Sequence, residues 1–174
     1  MVSFDEALRT ILENVAPVGT EQVPLVEAVG LVLAEDLVAP WDLPLWDNSA
    51  MDGYAVRQED CLATPCKLRV TGYLPAGASA AGMRVTAGCS IKIMTGAPVP
   101  EGADAVVPFE ETSETSGEQV GINQPVKAGQ HLRRRGEDVR AGELILKRGT
   151  LLRPAEISLL ASCGKAQVTV QRRP

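Results

Sequence analysis

Apolar residues recur at helical spacing most clearly at the start of the chain, where Phe4, Leu8, Ile11, Leu12 and Val15 share one face of a helix predicted over residues 4–15. Ser3 and Glu6 form a capping box ahead of it, each side chain able to satisfy an orphan amide. Asp5, Glu6, Arg9 and Glu13 fall on the other faces. The next apolar stretch, "VPLVEAVGLVLAEDLVAP", is divided by Gly30, with a short helical turn predicted before it and a strand over 31–38. Pro40 and Pro44 then enforce an extended loop.

Beyond that loop the period changes. Short apolar runs with turn residues between them cover 54–56, 67–73, 90–94, 105–109, 119–122 and 143–146, a spacing that suggests a small antiparallel barrel or sandwich. "LPAGASAAG" at 74–82 is an Ala/Gly-rich loop, and "EETSETSGEQ" at 110–119 reads as a polar hairpin tip; neither is long enough to link domains. Near the end, Pro154, Glu156 and Gly164 suit the first turn, the electropositive end and the position past the end of a helix. Ile157, Leu159, Leu160 and Cys163 make that helix largely buried, and a strand follows at 166–170. The predicted class is α+β and β-rich: a β-barrel-like domain over 39–142 inserted into a small α/β unit (20–38 and 143–174), preceded by a helical segment, 1–19.

Composition narrows the function classes. With 45% hydrophobic and 22% charged residues among 174, the chain is globular, and 16 Gly, 12 Pro and only 3% aromatics fit many turns and short strands. A net charge of −5 argues against nucleic acid as a partner and requires any phosphate-bearing ligand to meet a local basic site or a metal ion. No apolar run approaches the roughly 18 residues of a membrane span. The start, "MVSFDEALRT", lacks the basic and apolar regions of a signal peptide, so a cytoplasmic location is expected, with Cys61, Cys66, Cys89 and Cys163 as reduced structural thiols.

Three segments could carry chemistry. "WDNSAMDGYAV" at 46–56 supplies Asp47, Asn48, Ser49 and Asp52. One reading is a turn built by short polar side chains bonding to nearby amides; the other makes Asp52 a metal or substrate ligand, held where Gly53 lets a partner come close. "IKIMTGAPVPEGADAVV" at 91–107 is a strand that breaks at Thr95 and Gly96, a common place for a hydroxyl that touches ligand and equally for an ordinary strand-to-turn transition. "LRRRGED" at 132–138 is the only basic cluster. As extended chain it would place Arg133 and Arg135 on one face and Arg134 on the other. Arginine forks suit phosphate or carboxylate, while Glu137 and Asp138 could pair with them internally. No phosphate-loop, dinucleotide or nucleophile-elbow motif occurs, and the single histidine, His131, excludes a two-histidine zinc site.

"DNSAMDGYAV", "IMTGAPVPEGADAVV" and "RRRGED", with "EAVGLVLAEDLVAP" before them, stand in the order and approximate spacing found in the molybdopterin molybdenumtransferase family, and the chain resembles its N-terminal part. That family comprises the bacterial MoeA proteins, to which the E domain of gephyrin is similar. The resemblance implies a homodimeric enzyme that inserts molybdenum from molybdate into adenylylated molybdopterin, releases AMP, and uses a divalent cation, usually Mg²⁺. An upstream adenylyltransferase is an implied partner. It implies active-site roles for Asp52, Thr95 and Asp138, with Asp52 and Asp138 near the metal. Asn48, Ser49, Arg133, Arg134 and Arg135 match the substrate side of the site. Met51 and Tyr54 are expected to anchor the turn, with Trp46 towards a subunit cleft.

Family members continue past the position of "QRRP" into further domains that hold much of the pocket. This chain alone is therefore expected to be inactive, with the apolar face of its first helix left uncovered. The alternative implied by the same resemblance is a dimerisation or scaffolding module without catalysis.

Overall fold

The computed structural model describes residues 2–16, 18–116 and 118–173. In chain order, α1 (Phe4–Glu13), β1 (Thr20–Pro24) and β2 (Leu37–Val38) lead into β3 (Asn48–Ser49) and β4 (Gly53–Val56). The middle consists of β5 (Cys66–Leu74), β6 (Cys89–Ile93), β7 (Ala105–Pro108), β8 (Thr112–Ser116), β9 (Gln119–Ile122) and β10 (Leu132–Arg133). Then come β11 (Leu144–Leu146), α2 (Pro154–Ser162) and β12 (Gln167–Gln171). Chain contacts separate two compact units, residues 1–41 with 141–174, and residues 42–140.

The inner unit is a nearly closed, barrel-like six-stranded sheet in the order β7-β4-β6-β5-β9-β8. All pairings are antiparallel except β5 with β6. Its two faces bury different sets of side chains, as strand alternation dictates. Tyr54, Val56, Ala105 and Val107 join Leu68, Val120 and Ile122 in one cluster. Ala55 and Val106 join Leu74, Ile91 and Ile93 in the other. Strands β4 and β7 are buried at every position because apolar layers cover both sides.

Gly53 is required for this packing. A Cβ there would stand 2.1 Å from the carbonyl oxygen of Val107 and 2.9 Å from Cα of Pro108, so only glycine lets β4 lie against β7. The partner that comes close at Gly53 is the neighbouring strand.

In the outer unit, β1 pairs antiparallel with β12, and β2 with β11. Leu25, Leu33, Leu37, Leu152, Leu160, Val168 and Val170 form its core. Strand β1 escapes a hydrophobic reading because "TEQVP" is exposed except at Val23, and backbone bonds to β12 hold it. The strand expected over 31–38 is reduced to β2 and single bridges at Val32 and Leu33. Between them Glu35 accepts from the Thr169 amide and Asp36 from the Arg148 amide, so the acids cap other segments where a ladder would continue.

Helix α1 follows its pattern, with Ser3 Oγ accepting from the Glu6 amide at 3.2 Å, but none of its residues is buried. Helix α2 is less buried than its composition suggests. Only Leu160 within it is fully enclosed; Ile157 and Leu159 are half-buried, and Cys163 is buried just past its end. The polar tip expected over 110–119 is smaller: a short 3₁₀ turn at Phe109–Glu111 runs straight into β8.

Candidate functional site

The turn at 47–52 lies between the two other motifs. On one side β3 pairs with β10, setting Ser49 opposite Leu132 and Asn48 opposite Arg133, and the Ala50 amide donates to the His131 carbonyl at 2.9 Å. On the other side the Ser49 amide donates to Ala97 O at 3.0 Å, the Gly96 amide to Ser49 O at 2.8 Å and the Val99 amide to Asp47 O at 3.0 Å. Three segments distant in sequence thus share one hydrogen-bonded knot.

Within it the polar residues divide into two sets. Asn48 and Ser49 are buried and face inward. Asn48 Nδ2 donates to Trp46 O at 3.2 Å; Ser49 Oγ donates to Met51 O at 2.6 Å and accepts from the Met51 amide at 3.3 Å. Their side chains build the turn, as buried polar groups must find partners. Tyr54 anchors it through an edge-on ring contact with Phe109, centroids 5.3 Å apart, whereas Met51 stays 38% exposed and anchors little.

Asp52 points outward. Its Oδ1 accepts from the Thr95 amide at 2.7 Å and from Thr95 Oγ1 at 2.8 Å, and these two donors hold the carboxyl below the usual aspartate value. Oδ2 has no protein partner among the described residues and faces solvent. The left-handed Gly96 (φ 80°) turns the chain just after Thr95.

The arginine run departs from the alternation expected of extended chain, because β10 ends at Arg133 and a turn follows, with the Glu137 amide donating to Arg134 O at 3.1 Å. Each arginine is paired with acid, Arg133 with two carboxylates and the others with one each. Arg133 binds Glu137 at 2.7 Å and Asp138 at 2.6 Å, Arg134 binds Asp47 at 2.6 Å, and Arg135 binds Asp42 at 2.6 Å. Asp47 also accepts from the Arg135 amide at 2.8 Å; that bond and the Arg134 contact hold its carboxyl low. Glu137 is lowered by the Arg134 amide and by Arg133, and the Arg133 guanidinium is raised by its two acids.

The pairings of Asp42 and Asp47 lay beyond sequence reasoning, since each acid lies far along the chain from its arginine. All these guanidinium groups remain substantially exposed. Exposed ion pairs are weak, so an incoming phosphate can compete with the carboxylates.

Among the described residues no group of three or more His, Cys, Asp and Glu side chains is placed to hold a metal ion. Mg²⁺ requires less, because it commonly binds through one or two carboxylates together with substrate phosphates and water. Asp52 has a free, exposed oxygen suited to that role, while Asp138 has committed Oδ2 to Arg133.

The fold is shared with solved molybdopterin biosynthesis proteins. A solved moeA protein from Pyrococcus horikoshii OT3 matches with TM-score 0.94 and 41% identity, covering 100% of this chain and 47% of that one. A second solved structure, of the moeA protein from Pyrococcus horikosii, matches with TM-score 0.82 and 34% identity over 100% of this chain and 45% of that one.

The chain belongs to the MoeA N-terminal region family (domain I and II), which it matches over residues 2–164. It is 39% identical to the molybdopterin molybdenumtransferase of Synechococcus elongatus, covering 98% of this chain and 43% of the relative. It is 44% identical to molybdopterin molybdenumtransferase 2 of Mycobacterium tuberculosis, covering 99% and 43%. The chain therefore spans less than half the length of these relatives. No helix among its described residues is long and apolar enough to cross a membrane.

Proposed function

We propose that this chain supplies the N-terminal share of a molybdopterin molybdenumtransferase site, in which molybdenum from molybdate enters adenylylated molybdopterin and AMP leaves. One observation carries the reading: Asp52 is presented outward by Thr95 at the point where the 91–107 and 132–138 segments meet the 47–52 turn. Asp52 Oδ2 would hold Mg²⁺, with the free oxygen of Asp138 as a second ligand. Bound there, the cation would neutralise phosphoanhydride oxygens and so reconcile an acidic site with an anionic substrate. Thr95 fixes the carboxylate, and the arginines of 133–135 exchange carboxylate partners for phosphate oxygens. The reading places the protein in the cytoplasm, acting as a homodimer downstream of an adenylyltransferase.

Because the chain spans 43% of the relatives' length, it is expected to form no cofactor alone. The test joins it to the remaining part of the Synechococcus elongatus relative and measures cofactor formation from molybdate and adenylylated molybdopterin. Activity that Asp52→Asn abolishes supports the proposal; full activity in that variant rejects Asp52 as a site residue.

A second reading, a dimerisation or scaffolding module, is favoured by α1, where Phe4 is 80%, Ile11 60% and Leu12 63% exposed on one face. Light scattering on the chain tests it. Dimers lost on Leu12→Glu support self-association through this face, and a monomer at all concentrations rejects it.

A further inference from the structure

Two of the four cysteines lie together on the inner unit, away from the knot. Cys61 closes the 3₁₀ turn Gln58–Cys61 and is fully buried in the cluster that holds Leu68, Val120 and Ile122. Cys66 opens β5, packs against that cluster, and is in hydrogen-bonding contact with the Cys61 thiol. No other thiol acts on Cys89 or Cys163 among the described residues; Cys89 Sγ instead accepts from the Arg69 guanidinium at 3.8 Å.

The backbone on both sides of the pair is held from outside it. Before Cys61, the Gln58 amide donates to Asp104 Oδ1 at 2.6 Å, and Asp60 Oδ2 accepts from the Gly88 amide at 3.1 Å. At Cys66, the ladder with β9 sets Ile122 opposite. Of the residues between the two cysteines, Leu62, Ala63 and Pro65 are exposed. Solvent therefore reaches the half-buried Cys66 and not the enclosed Cys61.

We propose that Cys61 and Cys66 form a reversible dithiol, which a small-molecule disulfide such as glutathione disulfide closes to an intramolecular disulfide in the folded chain. The modification is independent of the transferase reading. It proceeds by two exchanges. The Cys66 thiolate attacks one sulfur of glutathione disulfide; a bond from Cys66 to glutathione forms, the oxidant's sulfur–sulfur bond breaks, and a glutathione thiolate leaves. Cys61 then gives up its proton and attacks the Cys66 sulfur, forming the Cys61–Cys66 bond and expelling a second glutathione thiolate. Each departing thiolate takes up the proton that one cysteine lost. The two cysteines give up two electrons, and the oxidant gains them as two molecules of glutathione.

The environment sets the order of the exchanges. Cys61 is a poor nucleophile towards solvent, because burial and then Cys66 hold its thiol up at about 12. The first exchange removes the charge of Cys66, and with it the second of those influences, while the sulfur to be attacked stands beside Cys61. A disulfide forms only between cysteines that the fold already brings close, and contact between the two thiols meets that condition. The loop it closes is short, so the bond adds little to folding stability. Its role is that of a redox-responsive pair, and the half-exposed Cys66 sulfur lets an incoming thiol open it again.

The folded chain is brought to equilibrium with glutathione disulfide, quenched, unfolded and alkylated, and its mass and peptide map are read. Free thiols should fall from four to two, with the Cys61 and Cys66 peptides linked and no glutathione retained, and dithiothreitol should restore all four. Cys61→Ala should trap glutathione on Cys66, and Cys66→Ala should leave Cys61 untouched by the oxidant. A folded parent chain that keeps four thiols, a glutathione adduct that persists at Cys66, a bond between two chains, or a link that appears only in urea would each overturn the proposal. The parent chain by itself decides between these outcomes, so a variant that fails to fold leaves the test standing.

Discussion

Thr95 binds one oxygen of Asp52 twice, through its amide at 2.7 Å and its hydroxyl at 2.8 Å, and leaves the other oxygen to solvent. A carboxylate held at one oxygen by neutral donors keeps its charge and its direction while presenting a free lone-pair face. Thr95 is thus a positioning residue for Asp52.

Thr95→Val removes the hydroxyl donor and keeps the amide. The Asp52 carboxyl, lowered from 3.8 by both donors, should rise part of the way back, because the amide bond is the larger cause. A carbon-detected NMR titration of Asp52 reads this directly; an unchanged midpoint would show that the hydroxyl contributes nothing.

Glu156 accepts from the Arg153 guanidinium at 2.7 Å and from the Arg153 amide at 3.0 Å at the start of α2, which draws its carboxyl from 4.5 down to about 2. Its folded value lies below its unfolded one. Its contribution to stability is therefore complete above about pH 4.5 and is lost as pH falls towards 2. Glu156→Gln should lower the urea midpoint at pH 7, with the gap to the parent protein closing by pH 2. A gap constant with pH would contradict the linkage.

Gly53→Ala drives a methyl into the backbone of Val107 and Pro108. A cost of about 3 kcal/mol or more in urea unfolding is expected, since backbone cannot yield as a flexible side chain can. Gly77→Ala, with nothing within 4 Å of the new Cβ but φ of 79°, should cost only about 1 kcal/mol, from left-handed strain alone.

Cys61 is fully buried, and burial first, then the neighbouring Cys66, pushes its thiol up to about 12. Iodoacetamide at pH 8 should leave Cys61 unlabelled in the folded chain and label it after unfolding, as peptide mass spectrometry would show. Labelling of Cys61 at the rate of half-buried Cys66 in the folded chain would be the contrary result.

Phe4→Ser with Leu12→Ser exchanges two exposed side chains on α1, 80% and 63% accessible. The unfolding free energy should change by no more than about 0.5 kcal/mol. Binding of a hydrophobic dye should fall, because the exposed apolar stripe is broken. A large stability loss would mean the face is packed in solution.

The sequence alone determined what depends on neighbouring residues or on period. Phe4, Leu8, Ile11 and Leu12 define α1, Pro154 and Gly164 bracket α2, and the apolar runs at 54–56, 105–109 and 119–122 mark strands that the structure contains at nearly those limits. It also set Asp52, Thr95 and Asp138 apart through three motifs in register. Only tertiary structure decided which groups meet. Strand β1 shows no apolar alternation because its partner β12 holds it by backbone bonds. Gly53 answers to a strand that follows it far along the chain, and Asp42 and Asp47 claim Arg135 and Arg134 across most of the inner unit. Local pattern records how a segment satisfies itself. Long-range pairing depends on where the chain returns, and a hydrogen bond or ion pair between distant residues leaves no period to read.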